Sequence, residues 1–198
     1  MIEERDTGLI LITGGVRSGK STFAEKIAAE SGKEVIYLAT ARVEDEEMRE
    51  RVNRHQERRP SSVRTIEEAM EPHRVLEEES AAGRLILMDC LTLLITNRFL
   101  AYIDANGAVR AGEDIYADEQ LLNDASEHTL QYIRKFSESA LQCKADLVIV
   151  TNEVGMGVVP NYPVGRVFRD LAGRSNQILA AAADQVWMVV CGIPQRFK

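Results

Sequence analysis

Five short stretches of the chain are continuously apolar: Leu9–Ile12, Val35–Leu38, Leu85–Met88, Leu147–Val150 and Val186–Val190. None alternates with polar residues, which is the pattern of parallel strands covered on both faces. Val63–Ile66 predicts a further short strand, and Gln195–Lys198 a terminal edge strand. Between the runs, helices are predicted over Ser21–Ser31, Asp45–Glu57, Glu67–Ala82, Thr92–Leu100, Asp118–Gln142 and Val164–Ala183. Strands and helices in alternation predict a doubly wound α/β fold: a mostly parallel, twisted sheet with helices on both faces. Such sheets bind ligands at the carboxyl ends of their strands. No repeat, low-complexity tract or linker divides the 198 residues, so one domain over 1–198 is expected. The acidic, Gly-containing stretch Asp104–Asp114 reads as an exposed loop, either a lid or a plain solvated connection.

The first apolar run leads into Gly14, Gly15, Val16, Arg17, Ser18, Gly19, Lys20 and Ser21. This is the Walker A pattern G-x-x-x-x-G-K-[ST], leaving a strand and opening a helix. Gly14 and Gly19 permit backbone angles and close approach that a side chain would forbid. The loop amides and the helix N-terminus then face a triphosphate. Lys20 brings positive charge to the outer phosphates, and the Ser21 hydroxyl is a Mg²⁺ ligand candidate. The segment predicts a nucleoside triphosphate site.

If the sheet is right, the residues just past each strand matter most. They are Ala39-Thr40-Ala41-Arg42, Asp89-Cys90, and Thr151-Asn152-Glu153-Val154-Gly155-Met156-Gly157. Asp89 suits a Walker-B-like acid facing Mg²⁺ or its water shell, with an aspartate capping the next helix as the lesser alternative. Glu153 is a second acid at the same edge. Gly155 and Gly157 read as a turn that approaches a ligand closely, or as ordinary loop glycines.

Charge and composition narrow the classes. A net charge of -7 argues against a nucleic-acid groove. No apolar run approaches the ~18 residues of a membrane span, and the polar start, MIEERD, does not read as a signal peptide. Cys90, Cys143 and Cys191 are odd in number and far apart, so buried free thiols are expected and the cytoplasm is the expected compartment.

The segment Glu44–Pro60 is acidic in its first half and basic in its second, matching a helix macrodipole. Met48, Val52 and His55 share one face, which turns His55 toward the body of the protein. Arg51, Arg54, Arg58 and Arg59 surround it. Nearby cations keep an imidazole neutral and nucleophilic, and arginines match phosphate oxygens. Attack on phosphorus and a purely structural role both remain open for His55 on this reading. His73 and His128 lie in charged helical settings and are expected at the surface.

Several segments together resemble the bifunctional adenosylcobinamide kinase/adenosylcobinamide-phosphate guanylyltransferase family of cobalamin biosynthesis. They are GGVRSGKS at 14–21, VIYLAT at 35–40, HQERRP at 55–60, LMDCLT at 87–92, TNEVGMGVVP from 151 and FRDLAGRSNQ at 168–177. The Walker A pattern is widespread; the last two segments are highly specific. The resemblance implies a RecA-like P-loop domain with two activities. ATP or GTP, with Mg²⁺, phosphorylates the hydroxyl of the aminopropanol arm of adenosylcobinamide. GTP then loses pyrophosphate while GMP is held on a histidine, and GMP passes to the new phosphate to give adenosylcobinamide-GDP. By that resemblance His55 is the guanylylated residue, and Gly14 through Ser21 are the phosphate loop. Thr40, Ala41 and Arg42, and Gln56, Glu57, Arg58 and Arg59, are nucleotide contacts. Glu67 and Asp89 complete them, Lys20 acts with Mg²⁺ on the transferred charge, and Ser21 and Asp89 hold the metal. Glu153, Asp89 and Asp170 are candidate general bases. The resemblance also implies a homo-oligomer, in particular a trimer. A simple P-loop kinase of small molecules would share the loop and element order without needing a nucleophilic histidine. A guanine-nucleotide switch would need N-K-x-D, which the chain lacks.

Overall fold

A computed structural model describes residues 8–42, 63–107 and 116–198. The expected helix Asp45–Glu57 lies outside the described residues, as do His55, Gln56, Glu57, Arg58 and Arg59 and the 108–114 part of the acidic stretch. The described elements are β1 (Leu9–Gly14), α1 (Lys20–Glu30), β2 (Glu34–Ala39), β3 (Arg64–Glu67), α2 (Pro72–Glu78) and β4 (Arg84–Asp89). They continue with α3 (Leu91–Gly107), α4 (Glu119–Gln142), β5 (Asp146–Val150), α5 (Pro163–Ala182), β6 (Gln185–Val190) and β7 (Ile193–Arg196). The seven strands form one sheet in the order β3-β2-β4-β5-β1-β6-β7. Every neighbouring pair is parallel except β6–β7.

Because successive strand residues point to opposite faces, each apolar run supplies two cores. Leu9, Leu11, Ile36, Leu38, Ile86, Met88, Leu147 and Ile149 face one layer, packed with α2, α3, α4 and α5 through residues such as Leu76, Phe99 and Phe136. Ile10, Ile12, Tyr37, Leu85, Leu87, Val148 and Val150 face the other, where α1 brings Ala24 and Ala28. Both faces of β1, β2, β4 and β5 are therefore covered, as continuous rather than alternating runs require, whereas β6, beside the edge hairpin, is only half-buried and leaves Val190 exposed.

The structure revises several expectations. The helix expected over Glu67–Ala82 is confined to Pro72–Glu78. Glu67 is still strand, and the Glu68 carboxylate accepts the amides of Met70 and Glu71 at 2.8 Å each, making a turn before Pro72 starts the helix. The edge strand falls at Ile193–Arg196 rather than Gln195–Lys198. A two-residue turn, Cys191 (φ 51) and Gly192 (φ 80), sets that register, and positive φ at both positions suits a tight hairpin. The helix expected near Thr92–Leu100 runs on to Gly107, so 104–107 is helical rather than loop. His73 is buried, not at the surface. Its Nδ1 lies 3.0 Å from the Tyr132 hydroxyl, and α4 covers it. Burial, with Lys135 nearby, lowers its pKa below the ordinary histidine value. His128 is exposed as expected. All three cysteines are free, but only Cys90 is buried; Cys191 is exposed at the hairpin tip, where no layer covers it.

Candidate active site

The sheet register gathers the carboxyl ends of the parallel strands on one edge. Glu67 pairs with Ala39, Ala39 with Asp89, Asp89 with Val150, and Val150 with Ile12 two residues before Gly14. The Walker A loop, Asp89, the Thr40–Arg42 turn, Glu67 and the loop after β5 therefore share one rim.

The Walker A loop connects β1 directly to α1. At Gly14 a Cβ would stand 2.6 Å from both Ser18 Oγ and the Val189 carbonyl oxygen, so only glycine fits. Gly19 caps α1 in a left-handed conformation, φ 99, and a Cβ there would lie 3.1 Å from Gly192 Cα. Gly15, by contrast, has open space where a side chain would start. Val16 and Arg17 are exposed at the loop tip. Among the described residues no side chain caps α1, and its first turn, KSTF, holds no acid, so the positive helix end suits an anion. The Lys20 ammonium donates to the Gly15 carbonyl at 3.1 Å, which folds it back over the loop. Ser21 stands on that first helical turn. Ser18 Oγ and Thr13 Oγ1 are buried without a hydrogen-bond partner among the described residues.

Asp89 accepts the Tyr37 hydroxyl at 2.9 Å on Oδ2. One hydroxyl, Ser21, and one carboxylate, Asp89, are hard oxygen donors of the kind Mg²⁺ takes alongside phosphate oxygens and water. The donor chemistry therefore fits that ion. The thiol of Cys90, beside Asp89, is pushed up to about 12 by burial and the adjacent carboxylate, which makes it inert as a nucleophile.

Thr40 is wholly buried and fully engaged. Its hydroxyl donates to the Cys90 carbonyl at 2.7 Å and accepts the Cys90 amide at 2.8 Å. Its amide donates to the Asp89 carbonyl at 3.2 Å, clamping β2 to β4. Ala41 and the exposed Arg42 are what this turn presents outward. Glu67 is exposed at the end of β3. The Glu153 amide donates to the Gly14 carbonyl at 3.0 Å, tying the β5 loop to the Walker A strand, while its carboxylate accepts the Gly155 amide. Asp170 is exposed on α5.

Three sets of supporting contacts were not assigned from the sequence, although Thr151 and Asn152 were placed at the strand end. Tyr37 holds Asp89. Asn97 donates to the Thr40 carbonyl at 2.8 Å and the Ala69 carbonyl at 3.0 Å. Thr92, Thr151 and Asn176 form a polar chain: Thr92 Oγ1 lies 3.2 Å from Thr151 Oγ1, which donates to Asn176 Oδ1 at 2.7 Å. That chain seats Asn152, whose amide donates to Thr92 Oγ1 and whose carbonyl accepts Asn176 Nδ2. A lone asparagine in the apolar helix LTLLITNRFL was the available signal for Asn97.

A mostly parallel sheet with a Walker A loop on its carboxyl rim defines the protein as a P-loop nucleotide-binding fold. The assembled ATPase EscN of the enteropathogenic E. coli type III secretion system superposes with a TM-score of 0.51 at 16% identity, over 94% of this chain and 43% of that chain. That likeness concerns the fold alone.

The chain belongs to the cobinamide kinase / cobinamide phosphate guanyltransferase family, whose sequence profile matches residues 10–197. It is 39% identical over 191 residues to the bifunctional adenosylcobalamin biosynthesis protein CobU of Escherichia coli (strain K12), spanning 96% of this chain and 99% of that protein. The CobU protein of Salmonella typhimurium (strain LT2) is 40% identical over 190 residues, with the same coverage. The protein is thus an enzyme of the cobalamin biosynthesis kinase and guanylyltransferase family.

Proposed function

We propose that the chain phosphorylates adenosylcobinamide at its Walker A rim and then transfers GMP through His55. The observation that carries this reading is the shared rim: Walker A loop, Asp89, Thr40–Arg42 turn and Glu67 at neighbouring strand ends. In the first reaction the loop amides, the α1 N-terminus and Lys20 hold the ATP or GTP phosphates. The aminopropanol hydroxyl attacks the γ-phosphorus, a new P–O bond forms, and the bond to the departing nucleoside diphosphate breaks. Glu153, Asp89 and Asp170 are the candidate acceptors of the hydroxyl proton. Ser21 and Asp89 would hold Mg²⁺, which when bound offsets phosphate charge.

In the second reaction a His55 ring nitrogen attacks the α-phosphorus of GTP. A P–N bond forms and pyrophosphate leaves. An oxygen of adenosylcobinamide phosphate then attacks the same phosphorus, and the P–N bond breaks. Splitting the transfer gives each step a good leaving group. Ala41, Arg42, Gln56, Glu57, Arg58, Arg59 and Glu67 are the proposed guanine-nucleotide contacts, with Thr40 holding its turn in place. The enzyme is proposed to work in the cytoplasm as a homo-oligomer, in particular a trimer.

The test is incubation with labelled GTP and Mg²⁺ without corrinoid, followed by peptide mapping. Label is expected on the peptide containing His55. His55→Ala should abolish labelling and guanylyl transfer while cobinamide phosphorylation survives; Lys20→Ala should weaken triphosphate binding. Equal loss of both activities in His55→Ala, or label on another residue, would defeat the division of labour.

A further inference from the structure

Residues 154–163, which lead from the loop after β5 to the first residue of α5, read VGMGVVPNYP: a surface segment without a charged side chain, in a chain 28% charged. Met156 is 77% exposed, Val158 95%, Val159 59% and Tyr162 57%. The backbone beneath them is pinned. Arg169 donates to the Gly155 carbonyl at 2.8 Å and Arg166 to the Pro160 carbonyl at 3.4 Å. The preceding residue, Glu153, is tied to Gly14. A held backbone that turns four large apolar side chains to water marks a surface awaiting a partner.

We propose that Met156, Val158, Val159 and Tyr162 form the apolar seat of the phosphoryl acceptor, a macrocycle whose periphery carries uncharged amides. The proposal rests on the cobinamide kinase reading above. Two observations favour this occupant over a second copy of the chain. The loop leaves β5, the strand next to β1, and hydrogen-bonds to the first Walker A residue, so it borders the place where the triphosphate must lie. An acceptor hydroxyl has to reach within about 3–3.5 Å of the γ-phosphorus, which puts its bulky ring against the adjoining wall. The lack of charge over 154–163 also matches a ligand whose periphery offers apolar ring edges and neutral amides. The seat binds the ring; the Walker A loop binds the phosphates.

The test is the double variant Val158→Ser/Val159→Ser, at exposed positions that leave the core intact. Three quantities are measured in the full chain: KM for adenosylcobinamide, KM for the nucleotide, and mass by sedimentation. Equilibrium dialysis of adenosylcobinamide without nucleotide gives a fourth. The corrinoid KM and dissociation constant should rise at least about tenfold, as expected for two apolar side chains losing their burial against the ligand. The nucleotide KM should stay within about twofold, and the mass should not change. Unchanged corrinoid binding overturns the proposal. So does a fall in mass, which would make the loop a contact between copies of the chain. Wild-type protein that neither binds nor phosphorylates adenosylcobinamide overturns the kinase reading itself, a result visible before any variant is made.

Discussion

Asn97 offers the sharpest test of how the rim is held. It lies 8% exposed on α3, and its side-chain amide donates to two backbone carbonyls, Thr40 at 2.8 Å and Ala69 at 3.0 Å. Those carbonyls belong to the turn after β2 and the turn after β3, the two that flank Arg42 and Glu67. Asn97→Ala removes both donors and leaves two acceptors without their partner. At ~1 kcal/mol per net hydrogen bond, plus part of the desolvation penalty of each orphaned carbonyl, the loss should be about 2–4 kcal/mol. Asn97→Asp keeps the shape but turns acceptor oxygens toward carbonyl oxygens, so it should be worse at neutral pH. Burial raises the pKa of the introduced carboxyl above its unfolded value of ~3.9. The native state then binds more protons than the unfolded state, and stability falls as pH rises through that window. Urea unfolding of wild type, Asn97→Ala and Asn97→Asp at acidic and mildly alkaline pH measures all of this. The KM for GTP should rise in both variants as the two turns separate. The reasoning fails if either variant unfolds within about 0.5 kcal/mol of wild type at both pH values. It also fails if Asn97→Asp shows no more pH dependence than Asn97→Ala.

Other outcomes follow from the same geometry. Gly14→Ala places a Cβ 2.6 Å from Ser18 Oγ and the Val189 carbonyl, so it should cost about 1–3 kcal/mol by overpacking and weaken triphosphate binding. Gly15→Ala, with open space around the new atom, should leave the unfolding midpoint where it was; equal destabilisation of the two would contradict the steric account. The lowered pKa of His73 means that below ~6.5 the unfolded chain takes up its proton first. Stability should therefore decline as pH falls from that value through the native pKa, and His73→Gln should flatten this part of the curve in urea titrations. In thiol labelling of the native protein Cys191 should react promptly and Cys90, buried with its pKa at about 12, only after unfolding. Fast modification of Cys90 would refute its burial.

Much of this architecture was legible because its signals are local. Continuous apolar runs mark buried strands wherever they pair, and five of the seven strands were visible in this way. Asp118 caps α4 by accepting the Leu121 amide at 3.0 Å, close to the boundary expected from sequence. Boundaries failed where a turn or a neighbour overrode local preference. The acid-rich stretch from Glu67 has helical composition, but the Glu68 carboxylate ties down a turn at 70–71 and delays the helix to Pro72. His73 looked solvated because its neighbours in sequence are charged, yet α4 covers it through Tyr132.

The chain by itself determined the order of elements and the Walker A loop, since glycine placement, helix start and strand period depend on residues within a few positions of one another. Tertiary structure alone decided which strands are neighbours. That order sets β5 between β4 and β1, brings Asp89 and the loop after Val150 to the Walker A rim, and draws Asn97 across to carbonyls of two other turns. Pairing between strands far apart in sequence is settled by the packing of both sheet faces, a property of the whole chain that no short window contains.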